Sequence, residues 1–207
     1  ASPIYMSFDA AAQRIYDTLP DVKLVAILRQ PIDAFLSEHH MRIRDRRAPE
    51  AGFRERVEAV ARRIDSGERA GPLYFEQLES YYRRFSREQI KVILFEDLIE
   101  DVGSVMRSLF EFLDVDPGFE PITTRQANTG GMPRSARLNR ILKSLQNRRS
   151  VSNVNLFNRA LRKFVQLNSR KYAGVSPDLR RELTRVFADD ILKLQALIGR
   201  DLSHWLH

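Results

Sequence analysis

One short stretch of the chain is continuously apolar and a second is interrupted by a single lysine, while most of the remainder alternates at helical spacing. Residues 24–28 (LVAIL) and 90–95 (IKVILF) show no helical period. Runs of that length with polar flanks predict strands, the first of them buried on both faces. Elsewhere apolar residues return every three or four positions. Ala11, Ile15 and Leu19 share one face of a helix expected over 8–19, with Asp9 as its N-cap. Pro20 and Asp21 break it. Further helices are expected over 32–44, 53–64, 73–85, 101–113, 136–146, 155–168 and 177–198, the last closed by Gly199 as C-terminal cap. Residues 42–50, charged and carrying Pro49, read as an exposed loop. So do residues 116–131, with Pro117, Gly118, Pro121, Gly130 and Gly131.

Helices alternating with apolar strands predict an α/β fold with a parallel sheet flanked by helices and a helical C-terminal part. Two strands are few for such a sheet. Either further strands escape the pattern, or the chain begins after the first part of the fold. With 207 residues, no internal repeat and no linker, residues 1–207 are expected to form a single domain with a sizeable core.

Composition narrows the chemistry. The absence of cysteine excludes disulfides, thiolate metal sites and a cysteine nucleophile, and fits a reducing, cytoplasmic compartment. Four histidines, with only His39 and His40 adjacent, form no spaced metal-ligand cluster, so no metal is expected. No apolar run approaches the roughly 20 residues of a membrane span. The net charge of +7 is local: residues 134–171 hold eleven Lys and Arg and no Asp or Glu, and the rest of the chain is mildly acidic. Such a stretch implies a polyanionic ligand, an acidic lipid surface in peripheral contact, or a solvated helical face.

The densest candidate chemistry lies in residues 23–40, KLVAILRQPIDAFLSEHH. An apolar strand ends on Arg29, Pro31 opens a helix, and Ser37 follows eight residues after the arginine. A strand fixes such an arginine, and a helix start adds oriented N–H groups and partial positive charge, which together suit an anion. The bland alternative is an ordinary strand-to-helix connection with a surface arginine.

This run resembles the 3′-phosphate-binding motif of sulfotransferases that use 3′-phosphoadenosine 5′-phosphosulfate (PAPS), roughly a strand followed by R-x-P-x-x-R-x-x-S. Arg29, Pro31 and Ser37 match, and Ala34 stands where that family usually has a second arginine. Later segments fit the family in order: Ser2-Pro3-Ile4-Tyr5; Tyr74 to Leu78 with Tyr82 and Phe85; ILFEDL at 93–98; Phe112 to Pro117 with Asn128 and Pro133-Arg134-Ser135; and residues 177–205, ending LIGRDLSHWL. The likeness is greatest to the bacterial and heparan-sulfate-type branch. One departure stands out. The family's Gly- and Lys-containing phosphosulfate loop, resembling a P-loop, has no counterpart here, so the resemblance implies that it lies upstream of Ala1, together with its catalytic lysine.

The resemblance implies a P-loop-like α/β enzyme that moves a sulfuryl group from PAPS to a hydroxyl or amine. The acceptor would be a small molecule, carbohydrate or lipid-linked substrate, and no nucleic acid partner is expected. For the nucleotide it implies Arg29 and Ser37, then Arg134 and Ser135, whose alternative is a helix N-cap. His39 and His40 lie close enough to Ser37 to include a base, against the commoner role of core or surface histidine. Glu96 and Asp97 are read first as structural and second as site residues. Tyr5 and Tyr74 line an acceptor cleft or pack as aromatic core. Trp205 is read as packing, and Gly71 with Pro72 as a turn. Two rivals remain: a non-catalytic basic module for nucleic acid or another polyanion, and a relative of P-loop kinases.

Overall fold

The computed structural model describes residues 5–6, 8–44, 52–68, 70–118, 132–133, 169–170 and 175–207. Helix α1 (Asp9–Thr18) leads into strand β1 (Leu24–Leu28). Helices α2 (Pro31–Arg44), α3 (Phe53–Asp65) and α4 (Tyr74–Tyr82) follow, then strand β2 (Ile90–Leu94) and helices α5 (Phe95–Glu100) and α6 (Val102–Phe112). Two-residue strands β3 (Met132–Pro133) and β4 (Ser169–Arg170) pair antiparallel. Helix α7 (Pro177–Ile198) and a 3₁₀ turn (Ser203–Leu206) complete the described chain.

β1 and β2 run parallel in register, Leu24 opposite Ile90 through Leu28 opposite Leu94. A parallel pair needs a crossover between its strands, and α2, α3 and α4 form it. The architecture is therefore the α/β one that the sequence pattern predicts. The core gathers on one side of the pair, where Ala26, Leu28 and Leu94 meet Ile32 and Phe35 of α2, Leu78 of α4, and Leu183, Phe187, Ile191 and Leu194 of α7. The other face of β1 differs from expectation. Val25 is 41% and Ile27 55% exposed, so the strand is covered on one face only.

Three boundaries also shift. Asp9 is the first helical residue rather than the N-cap, a place taken by Phe8 without a side-chain bond. Its carboxylate instead takes Arg84 at 3.3 Å, tying α1 to the end of α4. Phe95 opens α5 instead of closing β2, which carries Glu96 and Asp97 into a first helical turn. α4 stops at Tyr82, and Arg83 to Phe85 form the turn that follows. Gly71 lies at φ +71, where a Cβ would meet Val60 Cγ1 at 3.3 Å and Phe187 Cε1 at 3.4 Å. The turn there therefore needs glycine for both backbone and space.

α7 shows how sequence builds the core. Ser176 caps it by accepting from the Leu179 N–H, Pro177 occupies its first turn, and Gly199 ends it at φ +64. Leu179, Leu183, Phe187, Ile191 and Leu194 form its buried stripe, and Asp190 interrupts it. The buried Asp190 carboxylate accepts the N–H groups of Tyr74 at 2.8 Å and Phe75 at 3.0 Å. α4 begins after Leu73, which has no side-chain acceptor, so α7 supplies the missing cap.

Burial pushes the Asp190 carboxyl up to about 6, against the opposing pull of those two N–H groups. An acid with a raised folded pKa binds its proton more tightly in the folded state. Stability attributable to Asp190 therefore falls as pH rises from 3.8 to about 6 and is level above that. Asp190→Asn removes this titration. The stability of wild type minus that of the variant is expected to fall by on the order of 2–3 kcal/mol between about pH 4 and pH 6.5. Urea unfolding at stepped pH measures it, and a difference independent of pH contradicts the assignment.

Candidate functional site

The C-terminal ends of β1 and β2 lie side by side because the strands are in register, so Arg29 and Phe95 leave the sheet at the same level. In open parallel sheets this edge is where ligands bind. The Arg29 guanidinium lies over the Phe95 ring, 5.1 Å from its centroid. The side chain is half-buried, and among the described residues no carboxylate is within ion-pair distance of it. The arginines at 83, 84, 180 and 200 each have a carboxylate partner. An arginine restrained by packing but left unneutralised is suited to an anion from solution.

Gln30 shapes the turn. Its main-chain N–H donates to Glu96 Oε1 at 2.9 Å, and its side-chain oxygen accepts the Asp33 N–H at 2.8 Å. Its side-chain nitrogen donates to the Trp205 carbonyl at 3.3 Å. Gln30 thus caps α2, and the Ala34 N–H bonds to its carbonyl at 2.9 Å. Two N–H groups of the first turn are taken and Pro31 has none, so the arginine rather than the helix end carries the positive charge of this site. Local pattern does not predict this cap, because glutamine is not among the residues favoured at an N-cap.

Ser37 is exposed on α2, two turns from Pro31, and its hydroxyl has no partner among the described residues. One turn before it, Asp33 holds Arg180 of α7 at 2.8 Å, so a second guanidinium stands on that side of α2. His39 is 2% exposed and packs against Phe53, ring centroids 5.0 Å apart. It belongs to the contact between α2 and α3. His40 is partly exposed, and burial, then His39, lower its pKa to about 4, so its ring is neutral at neutral pH.

Tyr74 stands beside Trp205, centroids 6.4 Å apart. Burial pushes its phenol up to about 12, while the Arg29 main chain acts in the opposite direction. The phenol therefore stays protonated and packs under the Arg29 turn. Tyr5 is exposed, and its carbonyl accepts the Tyr81 hydroxyl at 2.9 Å. Tyr81 is seven residues from Tyr74, about 10 Å along α4. Asp97 pairs with both terminal nitrogens of Arg200 at 2.6 and 2.7 Å and clamps α5 to the end of α7, the structural role expected of it first. Arg134 and Ser135 lie outside the described residues, as does most of the basic stretch. Pro133, just before that stretch, and Ser169, near its end, are partners in the β3–β4 pair. Among the described residues no group of three or more His, Asp or Glu could hold a metal ion, and no helix is long and apolar enough to cross a membrane.

Comparison with known proteins bears on this geometry. A family model described as a sulfotransferase domain matches residues 8–185. The crystal structure of a sulfotransferase from Alicyclobacillus acidocaldarius superposes with a TM-score of 0.69 at 32% identity, over 100% of this chain and 66% of that one. The chain thus spans just under two thirds of that protein. No curated protein matches.

Proposed function

We propose, from the premise that this chain belongs to the sulfotransferase domain family, that it transfers a sulfuryl group from PAPS to a hydroxyl or amine acceptor. Arg29 and Ser37 then hold the nucleotide's 3′-phosphate. The observation that carries this reading is Arg29 itself: half-buried, seated on Phe95 at the ends of the parallel strands, and without a carboxylate among the described residues.

In such a reaction the acceptor oxygen or nitrogen bonds to sulfur while the bond from sulfur to the 5′-phosphate oxygen breaks. The acceptor proton passes to a base, and 3′-phosphoadenosine 5′-phosphate leaves. Most of the protein's work is to position the partners and neutralise charge. PAPS carries about four negative charges, and a guanidinium fork meets two phosphate oxygens at once. Ser37, one turn beyond the Asp33–Arg180 pair on α2, adds a hydroxyl donor. Arg134 and Ser135 are proposed for the same nucleotide from the sequence resemblance alone. We assign no base: His39 is enclosed, and His40 keeps a neutral ring without a described route to an acceptor.

Calorimetric titration of the full protein tests this reading. 3′-Phosphoadenosine 5′-phosphate is expected to bind at least about tenfold more tightly than adenosine 5′-phosphate, which lacks only the 3′-phosphate. Equal affinities would overturn it. Ser37→Ala is expected to weaken the first ligand by about three- to tenfold, the value of one ordinary exposed hydrogen bond, and to leave the second unchanged.

A further inference from the structure

The turn presenting Arg29 is fastened by groups that an anion on the guanidinium would not itself touch. Glu96, from the helix following the neighbouring strand, accepts the Gln30 N–H. Gln30 in turn holds the start of α2 and the carbonyl of Trp205. The charges of Glu96 and Arg29 also act in opposite senses on the Tyr74 phenol, Glu96 raising its pKa and Arg29 lowering it. Glu96 Oε2 is buried with no hydrogen-bond partner among the described residues. A carboxylate with one buried oxygen unpaired is a poor choice for stability alone, because the missing bond is not compensated.

We propose that Glu96 and Gln30 are positioning residues for the Arg29 anion site. The inference rests on the sulfotransferase reading and deepens it. The peptide joining Arg29 to Gln30 is one rigid plane. Holding its N–H fixes that plane and, with it, the direction in which the Arg29 side chain leaves the strand. A bidentate arginine–phosphate contact tolerates little displacement, and an error of about 1 Å in placing such a group is costly. Glu96 sets the plane from the β2 side. Gln30, through Asp33 and Trp205, sets the start of α2 and so the line on which Ser37 lies.

The test is calorimetric titration of the full protein with 3′-phosphoadenosine 5′-phosphate, alongside thermal melting. Glu96→Ala is expected to weaken binding about tenfold. Glu96→Gln is expected to stay within about twofold of wild type, since its amide oxygen still accepts the Gln30 N–H, and to melt no lower. In an Arg29→Ala background, Glu96→Ala is expected to add nothing, because there is no guanidinium left to aim. A purely structural Glu96 would instead lower the melting temperature and leave affinity unchanged. Full affinity in Glu96→Ala, or the same loss with and without Arg29, overturns the inference. Should Glu96→Ala fail to fold, Glu96→Asp, one methylene short of Gln30, is expected to show the same Arg29-dependent loss, and its absence overturns the inference equally. Arg29-dependent binding indifferent to Glu96 defeats this inference alone, whereas a wild type that does not bind defeats the sulfotransferase reading and this inference with it.

Discussion

Arg29→Ala is expected to weaken 3′-phosphoadenosine 5′-phosphate by about a hundredfold, which corresponds to about 2.7 kcal/mol for a charge-assisted, two-pronged contact. Adenosine 5′-phosphate should change little, so the preference between the two ligands collapses. Stability should change little too. The guanidinium makes no ion pair among the described residues, and its contact with the Phe95 ring is worth about 0.5–1 kcal/mol. Arg29→Lys keeps the charge and loses the fork, so it is expected to recover part of the affinity and not all. Calorimetry on the three proteins with both ligands measures each quantity. A variant that loses both nucleotides equally would show that Arg29 holds the fold or the 5′ side and not the 3′-phosphate.

Trp205→Ala is expected to have the largest effect on stability. The side chain is wholly enclosed, in a cluster with Leu28, Leu194 and Leu202. Truncating a buried tryptophan costs about 3–5 kcal/mol, a large share of the roughly 5–15 kcal/mol that holds a domain folded. For a chain of this size the melting temperature should drop by about 10 °C. Trp205→Phe separates volume from polarity. The indole Nε1 is buried without a hydrogen-bond partner among the described residues, so replacing it forfeits no hydrogen bond. The phenylalanine variant is therefore expected to lose well under half of what the alanine variant loses. Equal losses would mean that the indole N–H makes a bond essential to the fold. Because the Trp205 carbonyl also anchors Gln30, the alanine variant should bind the nucleotide more weakly even well below its melting point.

Local pattern was enough for the elements whose causes are local. Leu24–Leu28 is continuous and apolar, and it is a strand. Pro177 and Gly199 punctuate α7 at the positions expected of a first-turn proline and a left-handed cap. The α/β class followed from two apolar runs separated by amphipathic segments. Contacts distant in sequence were not legible. Asp190 caps a helix more than a hundred residues upstream, and nothing near it predicts that task. Gln30 does the work usually given to serine or aspartate, because Glu96 and Trp205 hold it from far along the chain. Exposure of Val25 and Ile27 depends on what covers β1, and an apolar run alone does not distinguish one covered face from two.

The candidate site divides in the same way. Arg29 and Ser37 were picked out by strand, proline and helix spacing; the structure seats the Arg29 guanidinium on Phe95 with no carboxylate at ion-pair distance among the described residues and leaves Ser37 exposed on α2, and their part in binding a nucleotide is the proposal made above. The histidine pair looked equivalent in sequence. The structure separates them, enclosing His39 against Phe53 and leaving His40 at the margin, because adjacent residues on a helix point about 100° apart.

The measurement that bears most directly on the central claim is a crystal structure of the full protein with 3′-phosphoadenosine 5′-phosphate. The account predicts the 3′-phosphate at the ends of β1 and β2, with two oxygens about 2.7–2.9 Å from the Arg29 guanidinium and one facing the Ser37 hydroxyl. A nucleotide whose 3′-phosphate lies elsewhere, with Arg29 untouched on Phe95, would contradict it.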